Sequence, residues 1–470
     1  MLIWKTNDLN INIASVRYRC LLPLQYLELI GYNSCVYAKN EQIKFHNKSD
    51  IIIFVKSFSA HDLDLAQKAN KAGMPIILDI CDNIFLEEYA SPNTQHLPVS
   101  QIFQQMSQMA SAVVTTGVTL KSFIQTEIGA SIPIFVIPDG NETLADVKQA
   151  FFFVKWQRWI KLAIYRPISL LTIIKATFKS KLFVYKKKSY AWLHKKLLIK
   201  YFNISLLKKK IPKLRGRIGR IVKYLLRIEP PVKVLSNQNV NYLENNQGSN
   251  PPFPLTVAVC TPEQKQELNK NTDQLVQLPI LNLNAASIGG ETKRIIWFGN
   301  HGASYGNFGM LNILDIAEHL IKLSHEINFT LLVVSNNYEK YCQHIFPLPF
   351  KTDYISWNPF NIYEYISQSN VTIVPNSKSP FSICKSANRA VLSLSLGVPV
   401  VATKTPALEI FNDCIIYDEW ASGLRAYLSD RQLVQTHVET AKSIIESNYS
   451  GEAIANQWAN VINQVIGKTV

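Results

Sequence analysis

The sequence predicts an α/β protein with two Rossmann-like domains facing a cleft and a basic helical insertion. Apolar runs of strand length alternate with helical patterns in two separate blocks, residues 1–140 and 291–470, as is typical of parallel sheets covered on both faces. At 470 residues the chain exceeds what one ordinary hydrophobic core accommodates. The segment between the blocks differs from both in charge. Two domains with one insertion therefore account for the whole pattern.

The first block starts with a short strand, LIWK, and a helix that Gly31 ends. The continuous apolar run of residues 50–56 predicts a buried parallel strand. The same reasoning predicts the remaining strands PIILDI, SAVVTT and PIFVIPD, and helices over 61–73, 101–110 and 119–128. We assign residues 1–146 to an N-terminal Rossmann-like domain.

The second block begins with the strand RIIWFG at residues 294–299. A glycine-rich loop, GNHGASYGNFG, leads from it into a helix. Further strands are predicted at FTLLVVS, YISW, VTIVP and VPVVAT, with helices at 338–344, NIYEYISQS, KSANRAVLSLSLG and 421–466. We assign residues 291–470 to a C-terminal Rossmann-like domain.

Residues 147–230 are predicted to form a basic, aromatic-rich helical insertion. From Val147 to Ile228 the chain has 23 Lys and Arg and no Asp or Glu, although the net charge of the whole chain is +15. Basic amphipathic helices with Trp and Phe are attracted to anionic membranes, so we expect residues 151–228 to bind such a surface. Two alternatives remain: binding of nucleic acid, for which no motif is present, and a helical cap whose charges are solvated. We expect no nucleic-acid partner.

Residues 231–290 combine a polar linker with a possible extra strand–helix–strand unit of the N-terminal domain. The linker is rich in Asn, Pro and Gly. The possible unit consists of LTVAVC, a helix over 262–269 and LPILNL.

Seven scattered cysteines with no CxxC spacing argue against a zinc cluster or a disulfide framework and favour a reducing compartment. No signal peptide and no apolar stretch of membrane-spanning length is visible. We expect a cytoplasmic protein.

The segment from residue 361 to residue 411 resembles the donor-binding domain of family-4-like glycosyltransferases with the GT-B fold. The resemblance is most specific at Gly397, Pro399 and the following Val400, Val401 and Ala402. The N-terminal helix and the segment LDICDN also resemble that family's acceptor-side domain, particularly in members acting in bacterial surface polysaccharide synthesis. The resemblance implies a nucleotide-sugar donor in the C-terminal domain and a glycan or lipid-linked glycan acceptor at the N-terminal domain. We expect no cofactor and no required metal, because fixed cations and the backbone amides at a helix start can stabilise a departing diphosphate.

The chain departs from the family pattern at a pair of glutamates that precede the Gly-x-Pro-Val-Val element. Cys384 and Leu392 occupy the two positions. Neither side chain accepts hydrogen bonds from sugar hydroxyls as a carboxylate does. The family's Arg and Lys in the glycine-rich loop are also missing. Either the donor is bound through the adjacent Lys385, Asn388 and Arg389, or its use is impaired.

Cations and a glycine-rich loop are the candidate donor-binding groups. Lys385 and Arg389 are four residues apart, which predicts one face at the N-terminal end of a helix, where an anion is favoured. Gly299, Gly302, Gly306 and Gly309 lie in the strand-to-helix loop, where the missing side chains let backbone approach a phosphate. His301 in that loop is equally compatible with a substrate contact and with a solvated position.

Asp79, Asp82 and His61 are the candidate catalytic residues, because they follow predicted strands whose ends border the cleft. A carboxylate there orients acceptor hydroxyls or acts as a general base; the alternative is a helix cap. Arg17, Arg19 and Lys56 are candidates for acceptor-side contacts. No third ligand accompanies Asp79 and Asp82, so we expect no metal site.

The leading interpretation is a glycosyltransferase at the inner face of the cell membrane. Within enzymes, the alternative is a sugar-nucleotide epimerase of the same fold. From another class, a catalytically silent binding or scaffold protein is favoured by the missing glutamate pair. The nucleotide, the sugar, the acceptor and the stereochemical course are left open.

Overall fold

The structure is a computed structural model that describes residues 1–39, 41, 43, 49–86, 97–129, 131–165, 257–259, 292–300, 302 and 308–467. Met1–Trp156 and Pro254–Val470 belong to one unit, and both sheets lie within it. Among these described ranges, every helix is too short or too polar to span a membrane.

The first sheet has six parallel strands in the order β2-β1-β3-β4-β5-β6. Its strands are β1 (Leu2–Thr6), β2 (Ser34–Ala38), β3 (Ile51–Val55), β4 (Ile76–Ile80), β5 (Ala112–Thr115) and β6 (Ile134–Val136). Every residue of β1, β3, β4 and β5 is buried, because helices cover both faces and most of the strand residues are apolar. The predicted Rossmann-like sheet is confirmed.

The helices of this half alternate with its strands. They are α1, a continuous helix of Ala14–Val16, π-helical Arg17–Leu21 and Leu22–Leu29, then α2 (Ala60–Lys71), α3 (Val99–Ser107) and α4 (Val118–Ile128). α1 ends just before Gly31, whose φ of +100° suits glycine. α2 begins with a capping box in which Ser59 and Asp62 satisfy each other's backbone amides.

The helix α5 (Leu144–Tyr165) crosses the boundary that the sequence analysis drew at residue 146. Val147, Ala150 and Val154 are buried in the cores of the main unit. The start of the predicted insertion therefore belongs to the main unit, whose first segment ends at Trp156. Residues 166–230 of the predicted insertion lie outside the described residues.

The second sheet has seven strands in the order β13-β12-β11-β8-β9-β10-β7. They are β7 (Val257–Val259), β8 (Lys293–Phe298), β9 (Phe329–Ser335), β10 (Thr352–Ser356), β11 (Val371–Val374), β12 (Val400–Ala402) and β13 (Ile416–Tyr417). All adjacent pairs are parallel except β7 with β10. The second Rossmann-like domain is confirmed.

The strand β7 corrects part of the sequence analysis, which placed residues 231–290 with the N-terminal domain. β7 pairs antiparallel with β10 at the edge of the second sheet, because that edge offers unpaired backbone groups. The predicted helix over 262–269 and the strand LPILNL lie outside the described residues.

The helices of the second half are α6 (Ala317–Ser324), α7 (Tyr338–His344), α8 (Ile362–Ser367), α9 (Asn388–Ser395), α10 (Trp420–Ser429), α11 (Arg431–Asn448) and α12 (Gly451–Gly467). The predicted helix after the glycine-rich loop starts as a 3₁₀ segment, Gly309–Ile316, before becoming α-helical in α6. Short 3₁₀ segments at Ser382–Cys384 and Pro406–Phe411 precede α9 and follow β12.

The last helix, α12, returns to the first sheet. Trp458 meets Trp4 of β1 edge to face, with ring centroids 5.2 Å apart, and both side chains are fully buried. The chain also crosses between the halves at Asn141, whose backbone N–H donates to the Tyr449 carbonyl at 2.6 Å. Both contacts join the last part of the chain to the first half.

Candidate active site

One carboxylate, Asp82, joins the two halves of the protein. It follows β4, and its two oxygens accept hydrogen bonds from Lys56 Nζ and Lys385 Nζ, one lysine from each half. The side chain of Asp82 is 10% exposed and those of both lysines are 37% exposed. Burial alone would raise the pKa of Asp82, but the two lysine charges outweigh it and hold this pKa well below the usual carboxyl value.

Lys56 is held at this point by its backbone. Its φ is +44°, in the left-handed region that a residue other than glycine rarely adopts. Two hydrogen bonds fix the turn: Lys56 N–H donates to the Asp79 carbonyl at 2.8 Å, and Asn7 Nδ2 donates to the Lys56 carbonyl at 3.0 Å. Backbone strain of this kind accumulates at functional sites, where the surroundings enforce it.

Two further contacts join the halves beside Asp82. Ser386 Oγ donates to Asp139 Oδ2 at 2.6 Å, and Asn83 Nδ2 lies 4.0 Å from Cys384 Sγ. Asp139 follows β6 and Asn83 follows β4, so both project from the carboxyl ends of first-sheet strands. The segment 382–386 is thus the part of the second half that contacts the first at this site.

Asp79, a predicted catalytic residue, is fully buried within β4. Arg19 grips both of its oxygens, with Nη2 to Oδ1 at 2.5 Å and Nε to Oδ2 at 3.2 Å. Arg19 also donates to the Ile137 carbonyl at 2.7 Å and lies 3.5 Å from Asp139. Burial raises the pKa of Asp79, while Arg19 opposes that rise. This carboxylate and Arg19 contact protein groups on all sides, which is the geometry of a structural ion pair.

Arg17, predicted to contact the acceptor, is also buried in a network. Its Nε donates to Glu142 Oε2 at 2.8 Å and its Nη1 to the Ile11 carbonyl at 2.6 Å. The guanidinium lies 5.1 Å from the Trp357 ring centroid, and Tyr363 donates to the Glu142 carbonyl. Arg17 therefore joins the two halves through packing rather than facing an open surface.

His61, the third predicted catalytic residue, lies in the first turn of α2 and is partly exposed. Its Nε2 is buried and lacks a hydrogen-bond partner within the described part of the chain. The neighbouring Asp62 is fully buried and pairs with Lys5 of β1 at 2.7 Å. This buried ion pair, which the sequence analysis did not identify, fixes the start of α2 to the sheet.

Arg389 differs from the other arginines of the site. It is partly exposed at the start of α9, and no carboxylate pairs with it among the described residues. Burial lowers its pKa to about 10, so the guanidinium remains charged at neutral pH. Its Cζ lies 6.0 Å from the Trp297 ring centroid, and its side chain passes beside Gly299.

A small cavity opens at the start of α9. It is lined by the cations Lys385 and Arg389 together with polar and apolar neighbours: Val374, Asn376, Ser386, Ala387, Ala390, Thr403, Thr405 and Leu408. No carboxylate belongs to the lining formed by described residues. The helix lacks a side-chain N-cap, since Ala387 occupies that position, so its first amides are available to an anion. The positive charge of the lining therefore favours an anionic group at this position.

The position of Lys385 corrects the sequence analysis. Lys385 was predicted on the same helical face as Arg389, but its ψ of 145° is extended and it precedes the helix. α9 begins only at Asn388. Asn388 was also predicted to bind the donor, and it is partly exposed. Because Lys385 is extended, its ammonium reaches Asp82 and also lies over the Phe381 ring, with Nζ 3.8 Å from the ring centroid.

The glycine-rich loop is described at Gly299, Gly302 and from Phe308 onward; Gly306 and His301 lie outside the described residues. Gly302 has φ +91°, and a Cβ there would lie 2.3 Å from the Phe308 carbonyl oxygen. This position requires glycine. A Cβ at Gly299, with φ +152°, would lie 3.6 Å from Arg389 Cδ, an ordinary van der Waals contact, so at this position the backbone conformation rather than the space favours glycine.

The two positions that the family resemblance assigns to glutamate are both apolar and buried. Cys384 is 3% exposed and packs with the core of the first sheet, and Leu392 is 6% exposed in a core of the second half. Burial raises the pKa of the Cys384 thiol to about 11, so it stays neutral. Both side chains therefore serve packing here.

Comparison with known proteins locates the fold. No protein-family model and no curated protein sequence matches the chain. Among solved structures, a sucrose-phosphate synthase from Thermosynechococcus elongatus is similar over 100% of both chains, with a TM-score of 0.50 and 10% identity. An E. coli structure described as trehalose-6-phosphate bound with UDP-2-fluoro glucose aligns with 96% of this chain and 77% of its own, with a TM-score of 0.44 and 10% identity. With two Rossmann-like sheets in one unit and this structural match over its whole length, the chain has the GT-B fold.

Proposed function

We propose that the protein is a glycosyltransferase that uses a nucleoside-diphosphate sugar as donor. The observation that carries the proposal is the cavity at the start of α9, which has two cations in its lining and no carboxylate among its described residues. It lies at the carboxyl ends of parallel strands, where α/β folds bind ligands. The structural neighbour of the same fold, a sucrose-phosphate synthase by name, supports glycosyl transfer as the reaction class.

In this proposal the donor's diphosphate binds Arg389 and the first amides of α9. During transfer the bond between the anomeric carbon and the diphosphate oxygen breaks, and an acceptor hydroxyl forms the new glycosidic bond. The departing diphosphate gains negative charge, which a fixed guanidinium and helix-start amides stabilise without reorganising. These contacts favour the transition state over the bound donor because the charge grows as the bond breaks.

The acceptor proton needs a base or the departing diphosphate itself. Asp79 is a poor candidate because Arg19 occupies both of its oxygens. Asp82 is a weak base while two lysines hold its pKa low. His61 has an unpaired Nε2 at the start of α2, as far as the described residues go, and it is the base we favour. Because Cys384 and Leu392 do not accept hydrogen bonds from sugar hydroxyls as carboxylates do, we propose that Asn376 and Thr403 in the cavity lining bind these hydroxyls.

A catalytically silent binding protein is the second candidate function. The apolar Cys384 and Leu392 favour it, because a family member that loses both carboxylates loses ligands for its donor. Both candidates predict nucleotide binding, and they differ in turnover. Cleavage of any nucleotide sugar, measured as release of its nucleoside diphosphate, would support the glycosyltransferase over the silent binding protein. An epimerised sugar that is still bonded to its diphosphate would instead identify an epimerase.

Nucleotide binding is tested with a thermal-shift panel of UDP, GDP, ADP and TDP and their common sugars. A ligand present at about 100 times its dissociation constant adds about 2.7 kcal/mol to the stability of the domain that binds it. We expect stabilisation by one nucleotide class, which names the donor. A folded protein that none of these ligands stabilises would contradict the proposal.

We also propose that the protein binds an anionic membrane surface at the inner face of the cell membrane, where it would meet a lipid-linked acceptor. The described start of α5 supports this: Lys148, Phe152, Lys155 and Trp156 are all exposed and recur at helical spacing on one face. Phe152 is 45% and Trp156 38% exposed. The basic sequence up to residue 228 continues the same positive charge.

We expect the protein to sediment with vesicles of phosphatidylcholine and phosphatidylglycerol but not of phosphatidylcholine alone, and less in about 1 M than in about 0.1 M salt. Replacing both Phe152 and Trp156 by Ser should weaken the partition by about tenfold or more, since each buried aromatic contributes about 1.5–3 kcal/mol. Ile410→Ser, which changes a 45% exposed residue in the second half, is the matched control. Equal sedimentation of both variants, or no preference for the anionic vesicles, would contradict membrane docking.

A further inference from the structure

We propose that Asp82 is an internal competitor of the donor's diphosphate: its carboxylate neutralises Lys385 across the cleft and releases it when the diphosphate binds. The inference rests on the proposed function and concerns the same cavity. It assigns Asp82, a candidate catalytic residue in the sequence analysis, to the control of access instead.

The first step of the argument is the position of Lys385. Its side chain lines the cavity beside Arg389, while its ammonium is hydrogen bonded to Asp82 of the other half. The same lysine is therefore shared between the cavity and the interdomain contact. A diphosphate beside Arg389 and the carboxylate of Asp82 would be like charges close to one ammonium, which disfavours the presence of both.

The second step is the fixed geometry on the opposite side. Lys56 holds the other oxygen of Asp82, and its left-handed backbone is tied by hydrogen bonds to Asn7 and Asp79. Asp82 therefore keeps one charged partner, Lys56, when Lys385 moves away. Because the release of Lys385 would not leave a buried carboxylate unpaired, a reversible exchange is physically reasonable.

The third step is the pair of neighbouring contacts that also join the two halves. Asn83–Cys384 and Asp139–Ser386 join the two halves on either side of Lys385, so segment 382–386 is fastened to the first sheet at three successive residues. An apolar Cys384 packs against the first-sheet core, where a carboxylate would be costly. In this conformation Lys385 is bound to Asp82. In the proposed mechanism the nucleotide binds only the fraction of molecules in which Lys385 has left Asp82. That fraction sets the apparent affinity.

The test is the affinity of UDP, GDP, ADP and TDP for the full chain and for Asp82→Asn, measured by isothermal titration calorimetry. Asp82→Asn keeps the side-chain shape and removes the charge, so we expect the dissociation constant of the preferred nucleotide to fall by about tenfold. Asp64→Asn is the control, since it removes the same charge from an exposed pair with Lys68 on α2. It should leave the affinity unchanged. If Asp82→Asn does not fold, Asp82→Ser has the same expected direction.

Lys56→Gln tests the direction of the change in nucleotide affinity. In the otherwise unsubstituted chain, Lys385 is then the lysine that still pairs with Asp82, so this pair should strengthen and the nucleotide should bind more weakly. In the Asp82→Asn background the same change should have no effect, because Lys56 acts through Asp82. Tighter binding by Asp82→Asn supports the inference, including the case in which only that variant binds measurably. Equal or weaker binding overturns it while leaving the proposed function intact. Binding by neither protein overturns both.

Discussion

Arg389→Ala is expected to weaken binding of the preferred nucleoside diphosphate by about 10- to 100-fold, since a hydrogen bond to a charged group contributes about 1.5–3 kcal/mol. Arg389 is the cation of the cavity that lacks a carboxylate partner in the described chain, so the ligand has no internal anion to displace there. The measurement is the dissociation constant by calorimetry, with the transfer rate as a second readout once an acceptor is known.

Two further variants make the result for Arg389 specific. Arg389→Lys keeps the charge but loses the bidentate geometry, and we expect it to recover only part of the affinity. Arg425→Ala is the matched control, because Arg425 belongs to the same half and pairs with Glu326 on the surface, where both side chains are 47% exposed. Unchanged affinity in Arg389→Ala would place the diphosphate elsewhere.

Asp79→Asn is expected to lower the free energy of unfolding by about 3–5 kcal/mol, the usual cost of removing one partner from a buried ion pair. The substitution leaves the Arg19 guanidinium, 1% exposed, without the carboxylate that accepts two of its hydrogen bonds. Thermal and urea unfolding measure the effect.

The control for Asp79→Asn is Asp64→Asn. Its ion pair with Lys68 is exposed by more than half on both sides, so it should change stability by less than about 1 kcal/mol. A stable Asp79→Asn protein that has lost activity would show that Asp79 acts on substrate, as the sequence analysis expected. A destabilised protein with normal nucleotide affinity would confirm a structural role.

Much of the fold could be predicted because buried parallel strands are continuous apolar runs. β3 and β4 are such runs, and they were predicted at residues 50–56 and at PIILDI. The sequence analysis missed β2, since this edge strand alternates poorly and only two of its five residues are buried. It also missed the two-residue strand β13. Short or edge strands lack the pattern that burial on both faces imposes.

The site was harder to predict because its contacts join residues that are distant along the chain. Arg19 and Asp79 were both named as candidates, but their pairing depends on where α1 crosses the sheet. The helical prediction for Lys385 was wrong because the hydrophobic pattern that predicts α9 does not mark the residue at which a helix begins. Asp139 and Ser386 meet across 247 residues, and no local signal announces such a contact.

The most direct test of the account is a structure of the protein with its preferred nucleoside diphosphate bound. We expect the diphosphate at the start of α9, within hydrogen-bond distance of the Arg389 guanidinium and beside Gly299, with Lys385 turned from Asp82 toward the phosphates. A diphosphate bound elsewhere, or one that Arg389 does not contact, would contradict the assignment of this cavity as the donor site.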